Sequence, residues 1–276
     1  MKISPLNKCS TKEILSAFNL AFSDYTIPLQ LTLEQLEQKI ITDDIQLEYA
    51  VGAFEQDQLV GFILHGVRKK DGITYFYNAG TGVIPRYRGQ RITQQLYKFF
   101  SEELLPSTKD HKRLLEVITT NDKAIKAYKK VGFKIHRTVH CYKGKLQLKL
   151  IDLPSNYSIQ KIETPQWEFF KSFWETSPTW QNATKSLQKS AIDCYGIFDQ
   201  QSKLVAYIIT TPQKLRQIAV APNHRNKGLA KCLIQHCYNN GDAISVLNLD
   251  EQNIALTNLL EQLGLEKFIS QYEMQF

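Results

Sequence analysis

Apolar residues recur at helical spacing in some stretches of the chain and gather into extended runs in others. Ile14, Leu15, Phe18 and Phe22 mark one face of a helix. The preceding Ser10-Thr11-Lys12-Glu13 has the form of a capping box, in which serine and glutamate satisfy each other's backbone donors. After a loop at Ser23–Pro28, Leu33, Leu36 and Ile40 predict a second helix from near Thr32 to Asp43-Asp44. Tyr49–Phe54 and Leu59–Val67 predict a hairpin around Glu55-Gln56-Asp57-Gln58, and a strand from Ile73 follows the polar turn Arg68–Gly72. Pro106–Lys112 reads as a connection, Leu114–Ile118 as a buried strand, and Thr119-Thr120-Asn121-Asp122 as the cap of a helix running to Lys130. Gly132 supplies its left-handed end. Strands at Phe133–Arg137, Val139–Tyr142 and Leu146–Leu150 are expected to complete that sheet.

Beyond Leu153-Pro154-Ser155-Asn156, which reads as a linker, the same order begins again. Ile3 and Leu6 match Ile159 and Ile162 at an offset of 156; Gly52 and Phe54 match Gly196 and Phe198 at 144. Val83, Pro85 and Arg88 match Val220, Pro222 and Arg225 at 137, and Asn121 and Gly132 match Asn253 and Gly264 at 132. The falling offset describes a duplicated fold whose second copy has shorter connections. Two domains, 1–153 and 154–276, are expected, each large enough for its own core.

One stretch stands out in both copies. Val83-Ile84-Pro85-Arg86-Tyr87-Arg88-Gly89-Gln90-Arg91-Ile92-Thr93 and Val220-Ala221-Pro222-Asn223-His224-Arg225-Asn226-Lys227-Gly228-Leu229-Ala230 each end a strand and open a helix. Glycine or small residues at the positive end of a helix let an anion approach several backbone N–H groups. A phosphorylated ligand is the functional suggestion.

Composition narrows the class. The 276 residues carry a formal net charge of +7, but the basic side chains are spread through both halves, so neither nucleic acid nor membrane is an expected partner. Arg86, Arg88 and Arg91 crowd one loop and would suit an anionic cofactor. No apolar run approaches the roughly 18 residues of a membrane span, and the first residues lack a signal-peptide core. Five cysteines without metal or redox spacing suit a reducing compartment, so a cytoplasmic location is expected. Cys232, His236 and Cys237 share a helix without a second ligand pair, and no metal is expected. Trp167, Phe170 and Trp174 read as the core face of the second copy's first helix, with Trp180 a candidate lining residue.

Arg225-Asn226-Lys227-Gly228-Leu229-Ala230 fits the Q/R-x-x-G-x-G/A pyrophosphate loop of the GNAT acyltransferase superfamily, and Val220-Ala221-Pro222 before it also resembles that family. The first copy keeps Arg88 but places Arg91 and Thr93 where the pattern prefers small residues. The resemblance covers nearly the whole chain as a tandem pair. It implies an α+β fold: two GNAT-type acyl-CoA N-acyltransferase domains, each a mixed, mainly antiparallel sheet flanked by helices. It further implies that the pantetheine arm of acetyl-CoA lies along the free edge of the strand before the loop, as in strand addition.

On that resemblance, the cofactor contacts are Val83, Ile84, Arg88, Gly89, Gln90, Arg91, Ile92, Thr93 and Asn121. In the second copy they are Val220, Arg225, Asn226, Lys227, Gly228, Leu229, Ala230 and Asn253. The Val83 N–H, or that of Val220, would face the thioester carbonyl, and Tyr128 would be the acid that protonates the leaving thiolate. Tyr128 could equally be a packed helix-face aromatic, and Asn121 a helix cap. Asp24 and Tyr25 are candidate acceptor contacts, or a turn brace with its packing partner. No base stands out: Glu116 and His65 are both open to structural roles. Leu260 stands where a second Tyr128 would be, so transfer is expected in the first domain. The activity expected is acetyl transfer to a small-molecule or peptide amine by direct attack. A non-catalytic CoA-binding or protein-interaction module built on a degenerate pair is the alternative.

Overall fold

In a computed structural model of the chain, which describes residues 1–25, 29–105 and 110–276, the capping box forms. The Ser10 hydroxyl accepts the Glu13 N–H at 3.3 Å, and the Glu13 carboxylate accepts the Ser10 N–H at 2.7 Å. The helix it opens, α1 (Thr11–Ala21), buries Ile14, Ala17, Phe18 and Ala21. Thr32 and Gln35 repeat the device at α2 (Leu33–Thr42). Thr26 to Pro28 of the expected loop, and Pro106 to Lys109 of the expected connection, lie outside the described residues.

Strands β1 (Lys2–Pro5), β2 (Val51–Glu55), β3 (Gln58–Lys70) and β4 (Ile73–Val83) pair antiparallel in that order. β5 (His111–Ile118) then runs parallel to β4, from Thr74↔His111 to Asn78↔Leu115. Helix α3 (Ile92–Phe99), prolonged by a π turn over Phe100–Leu104, and α4 (Asp122–Lys130) supply the covering face. Phe76, Leu96, Tyr97, Phe100, Leu115 and Phe133 are almost wholly enclosed there. Each such side chain contributes roughly 1.5–3 kcal/mol of burial free energy.

The chain forms two compact units, Met1–His136 with Tyr272–Phe276, and Arg137–Gln271. These bounds differ from 1–153 and 154–276, and strand pairing is the reason. The last residue exchanges both main-chain hydrogen bonds with β5, Phe276 N–H to Arg113 C=O at 3.0 Å and Arg113 N–H to Phe276 C=O at 3.1 Å. In return, β6 (Lys134–Lys145) from Arg137 onward belongs to the second unit. Its residues from Val139 to Lys145 pair antiparallel with β11 (Ala243–Asp250). One continuous β6 replaces the two strands expected at Phe133–Arg137 and Val139–Tyr142. No strand forms at Leu146–Leu150. There the Leu146 N–H goes to Asp242 and the Gln147 N–H to Leu263.

The second unit repeats the plan with β7 (Tyr157–Lys161), β8 (Asp193–Asp199), β9 (Leu204–Thr211) and β10 (Lys214–Val220) antiparallel in order, and β10 parallel to β11. Its first helix is brief, α5 (Trp167–Lys171), so the expected tryptophan stripe breaks after one turn. Phe170 still stacks on Tyr207 at 3.9 Å, and the Trp174 indole donates to the Tyr207 hydroxyl at 2.6 Å. A short α6 (Thr184–Leu187) follows, then α7 (Leu229–Cys237) and α8 (Ile254–Gln262). The final strand, β12 (Glu266–Gln275), carries the residues that return to the first unit.

Candidate active site

Asn78-Ala79-Gly80 interrupts an otherwise aromatic strand, and a register shift falls there. Leu64 pairs with Gly80 but His65 with Asn78, which leaves Ala79 as the extra residue of a β-bulge. The buried Asn78 side chain holds it. Its amide donates to the Thr81 hydroxyl and to the Tyr97 hydroxyl, each at 2.7 Å, and its carbonyl accepts the Gly80 N–H at 3.0 Å. The ladder with β5 stops at Asn78↔Leu115 while β4 runs on to Val83, so the two strands separate. The Ile84 N–H is spent on Val60 C=O. Alternation along an antiparallel edge therefore turns the Val83 N–H into the gap.

At the end of β4 a short turn over Pro85–Tyr87 leads to α3. Gly89 and Arg91 both adopt positive φ, 83° and 59°. In the second unit Asn226 and Gly228 do so, at 60° and 76°, so the two loops share a conformation while the glycine sits at a different one of its two strained positions. Arg88 does not face the anion site with its charge. Its guanidinium forks onto Asp24 at 2.7 and 2.8 Å and reaches the carbonyls of Val83 and Ala21. Those bonds hold the Asp24 carboxyl below its usual pKa.

Between the loop, the last residues of β4, the end of α1 and α4 lies a cleft of about 520 Å³. It brings together Tyr25, Val83, Arg88, Gly89, Arg91, Ile92, Thr93, Asn121 and Tyr128 from the expected set. Three expected residues lie outside it. The Ile84 side chain is buried, Asp24 is held by Arg88, and Gln90 borders a separate polar depression with Arg86 and Gln58. Asn121 caps α4 by accepting the Ala124 N–H at 3.1 Å, and its amide approaches the Tyr25 hydroxyl at 3.4 Å. Asn78, Thr81 and Lys123 were not singled out from sequence. A polar residue followed by glycines inside an apolar strand is the signal that marks the first two.

Tyr128 is buried, with its ring 6.0 Å from Tyr97. Burial pushes its phenol above the ordinary pKa; hydrogen bonds with Thr81 and Asn78 act against this, and nearby Tyr25 adds to it. The hydroxyl thus keeps its proton at neutral pH and can donate it. His65 belongs to the core: its ring stacks on Phe100 at 4.0 Å and lies 2.8 Å from the Tyr49 carbonyl, and burial lowers its pKa to about 4. Glu116 accepts a hydrogen bond from Tyr77 at 2.6 Å, while its second oxygen is enclosed without a partner. Burial is the main cause that raises its pKa to about 8, against the Tyr77 bond; Glu273 and Asp43 add to the rise. It is a carboxyl group able to exchange a proton near neutrality.

The second unit builds the same parts and fills the gap between them. Arg216 is the bulged residue, and the β10–β11 ladder stops at Leu215↔Val246. Asn182, on the turn Trp180–Asn182, donates to Leu247 C=O at 2.7 Å. Arg216 holds the Asn182 side chain at 3.0 Å and Gln217 its carbonyl at 2.6 Å. A cavity of about 70 Å³ is bordered by Asn182, Arg216, Gln217 and Asn253. Trp180 is buried rather than lining a cleft. Arg225 repeats Arg88, bonding Val220 C=O, Phe173 C=O and the Glu175 carboxylate. Lys227 lies 3.3 Å from the Tyr157 hydroxyl, and Ile151 covers Gly228. Asn253 caps α8, and Leu260 is wholly buried where Tyr128 stands in the first unit. Among the described residues no group of three or more His, Cys, Asp or Glu is arranged to hold a metal ion.

The model of the acetyltransferase (GNAT) family matches the chain twice, over residues 14–133 and 157–265. The chain is a GNAT protein. Solved structures agree on the fold across the whole chain. A GCN5-related N-acetyltransferase from Sphaerobacter thermophilus is 13% identical, with 100% of this chain and 95% of that one covered at a TM-score of 0.73. A tandem GNAT protein from the clavulanic acid biosynthesis pathway is 13% identical, covering 100% and 98% at 0.70. A putative acetyltransferase from Pyrococcus horikoshii is 14% identical, covering 100% and 88% at 0.70. No curated protein matches the sequence. The expected architecture, two tandem GNAT-type domains of mixed, mainly antiparallel sheet, is therefore the observed one. No helix among the described residues is long and apolar enough to cross a membrane.

Proposed function

We propose that this GNAT protein is an acyl-CoA-dependent N-acyltransferase that moves acetyl from acetyl-CoA to an amine, and that transfer takes place in the first unit. The observation that carries the reading is the cleft beside the end of β4, past the point where its ladder with β5 stops, lined by both Val83 and Tyr128. Acetyl-CoA supplies the activated thioester. The backbone of Gly89–Thr93, at the start of α3, would hold its pyrophosphate, and the freed edge of β4 its pantetheine arm. The Val83 N–H would donate to the thioester oxygen as negative charge develops there. As the amine nitrogen bonds the carbonyl carbon and the C–S bond breaks, Tyr128 would give its proton to the departing sulfur. Asn121 and Tyr25 border the route by which the acceptor enters.

The matching positions of the second unit, Val220, Arg225–Ala230 and Asn253, keep the loop, but their slot is occupied by Asn182. That occupancy favours a second reading for that unit taken by itself, a module that does not turn over. A cytoplasmic location goes with the proposal, supported by five free thiols. Calorimetric titration of acetyl-CoA, followed by free-thiol release with a panel of primary amines, tests the assignment. One site per chain and amine-dependent thiol release are expected. Two sites would overturn the restriction to the first unit, and the absence of binding would overturn the acyltransferase reading.

A further inference from the structure

Helix α4, Asp122-Lys123-Ala124-Ile125-Lys126-Ala127-Tyr128-Lys129-Lys130, carries lysine at four of its nine positions, and all four lysines are exposed. Among the described residues none of them has a carboxylate partner. At 3.6 residues per turn Lys123, Lys126 and Lys130 share one face about 60° wide, with Lys129 beside it. Ala127 flanks that face and lines the cleft together with Asn121, Lys123, Ala124 and Tyr128; Lys126, Lys129 and Lys130 do not border it. The lysine face therefore starts at the wall of the cleft and leads away over the outer surface. Spacings of three and four set like charges side by side, which disfavours the helix. The negative end of α4 accounts for Lys129 and Lys130 in its last turn, but not for Lys126, nor for Lys123 beside the positive end. In the second unit α8 has no basic residue: Ala255, Asn258, Glu261 and Gln262 stand at the matching positions.

We infer that the lysine face of α4 docks an acidic carrier protein, one that presents its acyl group as a thioester on a phosphopantetheine arm. The inference rests on the acyl-CoA reading of the cleft and adds to it a second form of donor. Such a carrier shares the arm and the thioester with acyl-CoA; beyond the phosphate, an acidic protein surface replaces the nucleotide. A small ligand seated in the cleft meets Lys123, whereas Lys126, Lys129 and Lys130 require a partner that extends over the outer face of the helix. Charge complementarity of that kind speeds encounter and fixes the partner's register more than it adds contact energy. The chemistry is that of acyl-CoA: the acceptor nitrogen bonds the carbonyl carbon, the C–S bond breaks, and the sulfur takes up a proton and stays on the carrier as a thiol.

The experiment measures the affinity of CoA and of a small acidic acyl carrier protein bearing its phosphopantetheine arm, over a range of salt. It uses the wild type and two triple variants. One combines Lys126→Gln, Lys129→Gln and Lys130→Gln; the other combines Lys145→Gln, Lys203→Gln and Lys214→Gln, which removes the same charge from exposed positions of the second unit. Thermal midpoints check that both fold. The wild type should bind the carrier with an affinity that falls as salt rises, and the α4 variant should lose about tenfold for the carrier while its CoA affinity stays within about twofold. The second variant should hold both affinities within about twofold. A wild type that binds CoA but not the carrier overturns the inference. So does an α4 variant that loses CoA and carrier equally, or that loses neither, and so does an equal loss in the second variant. A random DNA duplex that binds more tightly than the carrier, through the same lysines, overturns it in favour of nucleic acid. A wild type that binds neither CoA nor the carrier overturns instead the acyl-CoA reading beneath it.

Discussion

The two units carry the same bulge, the same strand separation and the same arginine brace, yet the first has a cleft of about 520 Å³ beside its loop and the second has Asn182 seated between its separated strands. The difference lies in the residues that follow the separation point. In the first unit these are Ala79 and Gly80, and nothing they carry reaches across. In the second they are Arg216 and Gln217, whose long polar side chains hold Asn182 against the exposed main chain of Leu247. An unpaired strand edge buried in protein needs partners. The second unit supplies them from its own chain through Asn182. The frame is the same in both copies, and in the second the segment bearing Asn182, held by Arg216 and Gln217, occupies the space between the strands.

The largest expected effect that could break this contrast is on turnover. Tyr128→Phe should lower kcat by roughly a hundredfold while acetyl-CoA affinity stays within about twofold; equal turnover in the variant would reduce Tyr128 to a packing residue. A stability effect comes next. Because burial raises the Glu116 carboxyl from 4.5 to about 8, the folded state holds its proton more tightly than the unfolded chain. Its contribution is therefore fully present below about pH 4.5 and is lost as pH rises through about 8. Glu116→Gln should accordingly gain on the wild type across that window, by on the order of 2–4 kcal/mol above pH 8. Urea denaturation from pH 4 to 9 reads it, and a pH-independent difference would deny the shift.

A matched pair sharpens the comparison directly. Asn78→Ala and Gln217→Ala each remove the polar anchor of one gap and should each cost about 1–3 kcal/mol of stability. Acetyl-CoA binding should weaken only for Asn78→Ala, so a loss of affinity in both would show that the second gap also serves the ligand. Smallest is the effect on the loops themselves. Asn226→Gly should stabilise by only a few tenths of a kcal/mol, since asparagine tolerates the left-handed region, and Arg91→Gly by about 1 kcal/mol. Thermal midpoints of the two variants would order them.

Much of this was legible in the residues. The caps of Ser10, Thr32, Asn121 and Asn253, the hairpin turns and the paired loops between strand and helix all follow from local chemistry, and each forms. The doubled family signature likewise carried the fold. Harder to read was which candidates would meet. Asp24 reads equally as an acceptor contact or a turn brace, and only the fold shows that Arg88, 64 positions away, holds it. Glu116 reads as a strand residue of either face until Tyr77 and the enclosure of its second oxygen are known.

Sequence alone determined the helix caps, most of the elements, their doubling and the family, because caps, strand alternation and loop glycines act over a few neighbouring residues. Only the tertiary structure decided which residues form each unit, since Tyr272–Phe276 is placed by hydrogen bonding to Arg113 in a strand far earlier in the chain. It also decided that one gap stands open and the other filled. That outcome depends on whether a distant segment packs into the space, and no local preference of Val83 or Val220 specifies it.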